Sequence, residues 1–137
     1  MEIKIRDNEL VLKPQDVAEI AKAVLSKEEK IDQDKEHFWV FGMNSRNIIK
    51  YMELVSLGSL NASLVHPREV YRLAVFKGVA HIIVCHNHPS GDSGPSSEDI
   101  RMTTRLTEAG KIMGIELLDH IIISTGDTFS FKEKGLM

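Results

Sequence analysis

The stretch AHIIVCHNHPSGDSGPSSEDI, residues 80–100, decides how the rest of the chain is read. Residues 80–85 are a near-continuous apolar run of strand length, the pattern of a strand buried on both faces. Two histidines one residue apart close it. Side chains alternate along a strand, so His86 and His88 share a face and can point at one spot, whereas Cys85 and Asn87 face the other way. The loop PSGDSGP has little bulk and strong turn chemistry, so it can reverse the chain tightly and hand over to a helix. Ser96 and Asp99 then lie on one side of that helix's first turn.

Two readings of this stretch stand side by side. Ser96-x-x-Asp99 is a variant of the helix capping box, in which serine accepts from the backbone three residues on. Two imidazoles and a returning carboxylate also form an N/N/O ligand set, and catalytic zinc sites pair three protein ligands with a water. Bound zinc lowers the pKa of that water to about 7, which supplies hydroxide at neutral pH. Each half of the pattern alone is weak. The joint spacing H-x-H-P-x6-S-x-x-D is far rarer and favours the metal reading, and capping and ligation are compatible. Zinc suits the ligand types, although Fe²⁺, Mn²⁺ or Co²⁺ is accommodated by similar donors.

Working outward, Ile100, Met102, Leu106, Ala109 and Met113 predict a helix over about 96–112, with Gly114 where a terminating glycine belongs. Residues 115–123 predict a strand, and Gly126-Asp127 turns into a last short strand, 128–131. On the N-terminal side, His66-Pro67 opens a helix with Val70, Leu73, Ala74 and either Phe76 or Ala80 inward, ending at Gly78. Leu64-Val65 predicts a short strand. His37 to Gly42 and Ile48 to about Ser56 predict a hairpin around Asn44-Ser45-Arg46-Asn47. Pro14 opens an amphipathic helix over roughly 14–26 on Val17, Ile20, Ala21, Val24 and Leu25. The charged tract SKEEKIDQDKE ends it as a solvated helix end or loop. Residues 1–12 read as a short strand or hairpin. The order is α, β-hairpin, β, α, β, α, β, β: one α/β domain with a mixed β-sheet and flanking helices.

The chain's 137 residues suit one domain. A net charge of −3 gives no support to a broad basic face for nucleic acid. The one cysteine, Cys85, excludes an internal disulfide, and a reducing, cytoplasmic setting is the default expectation. The N-terminus lacks the apolar stretch of a signal peptide, and no apolar run approaches the ~18 residues of a membrane span.

The residues also resemble a known family. His86, His88, Pro89, Ser96 and Asp99 reproduce the JAMM (MPN+) motif of JAB-domain zinc metallopeptidases. VHPREVYR (65–72), CHNHPSGDSGPSSEDI (85–100) and LDHIII (118–123) are similar to segments of its bacterial RadC-like branch. The resemblance covers roughly residues 14–135. It implies a JAB/MPN (cytidine-deaminase-like) fold. It further implies one zinc per chain on His86, His88 and Asp99, and Ser96 as a donor to the oxyanion of a peptide or isopeptide substrate. It implies a glutamate from an early strand as general acid/base. Glu36, opening EHFWVFG, is the best positional match; Glu69 is the rival, and Glu53 a weaker third. RadC proteins commonly carry an N-terminal region related to helix-hairpin-helix modules, and the expectation is that this chain lacks it.

Other residues have plain readings. His120 is a partner that supports the metal ligands from behind, a residue of the substrate cleft or simply a histidine at a strand start. His66 caps or packs its helix, His37 and His81 are strand residues, and Trp39 is core. Arg68, Arg72, Arg101 and Arg105 form a basic rim or a solvated helix face. Three functions compete. The first is zinc-dependent amide hydrolysis. The second is a nucleic-acid module or metal-dependent nuclease, prompted by the DNA-repair association of RadC. The third is a partner-binding module with structural zinc, which three ligands and an open position disfavour. A zinc deaminase needs H-x-E with P-C-x-x-C, which is absent.

Overall fold

In the computed structural model, residues 1–58 and 65–137 are described. Among the described residues, six strands form one mixed sheet in the order β1-β3-β2-β4-β5-β6. Its centre is β4 (His81–Asn87), flanked by β2 (Glu36–Met43) and β5 (Glu116–Ser124). β4 and β5 run parallel, joined by the crossover helix α4 (Ser97–Met113), as parallel neighbours require. Every other pairing is antiparallel: β2 with β3 (Ile49–Gly58), β2 with β4, β5 with β6 (Asp127–Ser130), and the two-residue edge strand β1 (Glu2–Ile3) with β3.

The alternation of β4 separates two cores. Ile83 and Cys85 join Trp39, Phe41, Ile121 and Ile123 beneath Val17, Ala18 and Ala21 of α1 (Pro14–Ser26). Ile82 and Val84 join Phe38, Val40 and Leu117 beneath two helices. These are α4 and α3 (Pro67–Lys77), which contribute Met102, Leu106, Val70, Tyr71 and Ala74. The molecule is thus helix, sheet, helix pair. β4 lies between them with both faces covered, which is why it reads as an apolar run and not as an alternating one.

Helix ends follow local chemistry. Asp16 accepts from the backbone N–H of Leu12 and Lys13 at 2.8 and 3.0 Å, closing the start of α1. Gly78 and Gly114 end α3 and α4 in the left-handed region, with φ of 67° and 72°.

Several expectations are corrected. Phe76 is 84% exposed and Ile100 42%, so neither is an inward residue. The inner stripe of α4 is Asp99, Met102, Thr103, Leu106 and Gly110, shifted because two polar residues face the sheet. The charged tract holds a one-turn helix, α2 (Lys30–Gln33), and its Glu28 reaches the buried His37 ring, so it is not all solvated. The N-terminal segment forms no hairpin of its own: β1 adds to β3, and Leu10 bridges Ile48. The expected strand at Leu64-Val65 falls partly outside the described residues, and Val65 is a bend in the core.

Candidate metal centre

β4 ends at Asn87, and the backbone N–H of His88 continues the ladder to the Ile123 carbonyl at 2.8 Å. This keeps both imidazoles on the α4 side of the sheet. His86 Nε2 and His88 Nε2 stand 3.0 Å apart. The Asp99 carboxylate completes the group, Oδ1 at 3.3 Å from His86 and Oδ2 at 3.2 Å from His88. Donor atoms about 2.0–2.1 Å from a tetrahedral zinc ion stand roughly 3.3 Å from one another, so these separations match a shared ion. Cys85 points into the opposite core and belongs to no part of the cluster.

Asp99 reaches the histidines because it is the third residue of α4. Ser96, preceding the helix, accepts from the Asp99 N–H at 3.0 Å, and Asp99 Oδ2 accepts from the Ser96 N–H at 2.9 Å. The capping box is therefore real, and the carboxylate that closes it also faces the imidazoles. Burial pushes the Asp99 carboxyl up, but the His86 and His88 imidazoles against it outweigh that and hold the group well below the usual carboxylate range.

The other ring nitrogens decide what the cluster can bind. His88 Nδ1 lies 2.8 Å from the Asp92 carbonyl, which can only accept, so Nδ1 carries the proton. In the neutral ring the Nε2 lone pair then faces Asp99. His86 Nδ1 lies 2.8 Å from His120 Nε2, and His120 Nδ1 lies 2.6 Å from the Thr103 hydroxyl. His120 is fully buried and stacks on Phe131 at 4.5 Å. Its burial, then the neighbouring His86, holds its pKa well below the usual histidine value, so the ring is neutral. The Asp99 hydrogen bond raises the pKa of His88, against its partial burial, so a proton and a metal ion would compete for the same Nε2 lone pair. The residues present thus fit a divalent cation: two neutral imidazole nitrogens and one carboxylate, oriented by groups behind them.

A cleft opens beside His88 and Asp99, lined also by Glu36, Ser96, Asp92 and Glu98. Glu36 arrives there through register. Phe38 pairs with His86 across β2 and β4, and Glu36 lies two residues further toward the His88 end, on the same face. Glu69 is elsewhere, at the first turn of α3, with Arg68 and Arg72 at 3.8 and 3.9 Å. Glu53 is buried in β3, with Arg72 at 3.3 Å. Arg68 and Arg72 are therefore engaged by carboxylates and do not make a free basic rim. His66 precedes α3 without a side-chain cap bond, Trp39 is core, and His81 bonds Asn47 at 2.7 Å.

Sequence reasoning missed Thr103 and the Asp92 carbonyl. Thr103 lies one turn beyond Asp99 on the same helix face, and that spacing is its one signal. The loop between His88 and α4 is further tied down by Ser93, whose hydroxyl donates to Asp127 at 2.6 Å. No helix among the described residues is long and apolar enough to cross a membrane.

A family model described as the RadC-like JAB domain matches residues 11–136. A UPF0758 protein of Clostridium acetobutylicum is 56% identical over 104 residues, covering 76% of this chain and 45% of that protein. One from Caldanaerobacter subterraneus subsp. tengcongensis is 49% identical over 129 residues, 94% of this chain and 53% of its own length. One from Listeria monocytogenes serovar 1/2a is 55% identical over 101 residues, 74% and 45%. The chain spans about half the length of the curated relatives it matches.

Proposed function

The chain belongs to the RadC-like JAB domain family, and from that premise we propose that it is a zinc-dependent hydrolase of peptide or isopeptide bonds. The observation that carries this reading is the convergence of His86 Nε2, His88 Nε2 and the Asp99 carboxylate within 3.0 to 3.3 Å. Three donors of this chemistry fit zinc and leave a fourth position open to water or substrate. Zinc held there would lower the pKa of a bound water to about 7 and polarise a carbonyl.

The protein's own residues supply the rest. Glu36, at the cleft, takes a proton from the attacking water and delivers it to the leaving amine. Ser96 serves its helix as an acceptor, so its own O–H proton is not spent on the cap. Donated to the developing oxyanion, such a hydrogen bond contributes on the order of 3 kcal/mol. Asp92, through its carbonyl, holds the His88 ring with Nε2 toward the cleft.

Metal content per chain, measured by elemental mass spectrometry on wild type and His88→Ala, tests the reading. Near one zinc in wild type and none in the variant is expected, followed by hydrolysis in a screen of peptide and isopeptide substrates. No uptake by folded wild type after zinc reconstitution overturns it.

A further inference from the structure

We infer that Thr103 is a positioning residue for the metal centre: its hydroxyl sets the tautomer of His120 and, through it, that of His86. The inference rests on the metal-centre reading above and deepens it. The Thr103 hydroxyl stands 2.8 Å from the Asp99 main-chain carbonyl and 2.6 Å from His120 Nδ1. A hydroxyl has one proton, and a carbonyl can only accept. The proton therefore goes to Asp99, and toward His120 the threonine oxygen is the acceptor. His120 carries its hydrogen on Nδ1, which leaves a lone pair on Nε2. That lone pair accepts from His86 Nδ1 at 2.8 Å. His86 is then left with its Nε2 lone pair facing His88 and Asp99, the form a metal requires.

Each step fixes the next, and none has water to relieve it. His86 and His120 are 0% exposed and Thr103 is 2% exposed. Run in reverse, the chain would put a proton on His86 Nε2, directly between the donors, and deprive the Asp99 carbonyl of its side-chain bond. The same hydroxyl also ties two ligands to each other, the main chain of Asp99 and the ring of His86. Phe131 and Phe38 hold the His120 ring from its face and edge at 4.5 and 6.1 Å, so the ring cannot swing away to find another partner.

Thr103→Val keeps the side-chain shape and removes the oxygen. His120 Nδ1–H then has no acceptor, and the proton shifts to Nε2, toward His86. The test combines ¹⁵N imidazole spectra of the metal-free protein with zinc affinity from chelator competition, on wild type, Thr103→Val and Thr103→Ser. In wild type both His86 and His120 are expected as Nδ1–H tautomers. Thr103→Val is expected to lose that pattern and to bind zinc about 10–100-fold more weakly. Thr103→Ser restores both, which a purely structural role for the methyl group would not. Wild-type spectra with the His120 proton on Nε2 overturn the inference. So does a folded Thr103→Val that binds zinc as tightly as wild type. If wild type takes up no zinc, the proposed function falls, and the metal-free spectra still decide the tautomers.

Discussion

Lone pairs aimed at one point repel one another until a cation comes between them. That is the condition of His86, His88 and Asp99, whose nearest donor atoms are 3.0 to 3.3 Å apart. A residue that works beside such a centre without holding it has a distinct signature. Glu36→Gln keeps the side-chain length and the cleft but has no carboxylate to accept a proton. It is expected to retain full zinc content and to lose about 10²–10⁴-fold in hydrolysis. Glu69→Gln, in an ion-pair cluster on α3, should change neither. Zinc content and turnover measured on both variants separate the two glutamates, and full activity in Glu36→Gln would assign the base elsewhere. The His86, His88 and Asp99 cluster was legible in the sequence because histidines and an aspartate at fixed spacing are rare and chemically pointed. Thr103 and Asp92 were not. A threonine inside a helix is common, and the Asp92 contribution is a carbonyl, which every residue carries.

At the level of elements, α4 shows where periodicity misleads. Its apolar residues suggested an inward stripe through Ile100 and Met113, yet these are 42% and 44% exposed. The true stripe passes through Asp99, Thr103 and Gly110, none of which an apolar pattern selects. Gly110 is there for close approach: a Cβ added to it would overlap the Tyr71 hydroxyl and the Ile115 carbonyl. Tyr71 in turn donates to the Leu106 carbonyl at 2.8 Å, locking α3 against α4. An alanine inside a helix is ordinarily favoured over glycine by about 1 kcal/mol. Here overpacking costs about 1–3 kcal/mol and should prevail. Gly110→Ala is therefore expected to lower the urea midpoint, and a raised midpoint would show that Tyr71 yields its position freely. The bounds of the helices were read closely, 14–26 against Pro14–Ser26 and 96–112 against Ser97–Met113, and only their inner faces were misjudged. β4 is apolar on both faces because both are covered, and β-hairpin turn chemistry at residues 44–47 is local.

Across the whole molecule, the centre sits where the carboxyl end of β4, the start of β2 and the first turn of α4 meet, at the strand ends where open α/β sheets bind ligands. Stability and metal binding are coupled there through protons. Asp99 is held well below the carboxylate range, so its contribution is present above about pH 3.9 and is lost only as pH falls through its strongly acidic folded pKa. His88 is raised by Asp99, so its contribution is complete below about pH 6.5 and is lost as pH rises through the higher folded value. His120 opposes it. Its folded pKa is depressed by burial, so below about pH 6.5 the unfolded chain takes up a proton that the folded one refuses, and stability falls. The pH profile of the metal-free protein is therefore a composite. The difference between zinc-loaded and metal-free protein isolates His88, because an ion held on its Nε2 would exclude the proton that Asp99 favours there. Zinc bound there would displace that proton, so its stabilisation is expected to grow as pH rises. The gap in melting temperature between the two forms is expected to widen steadily from about pH 5.5 to about pH 8. A gap that stays constant over that range would mean that zinc does not compete for the His88 Nε2 lone pair, and would remove His88 from the ligand set.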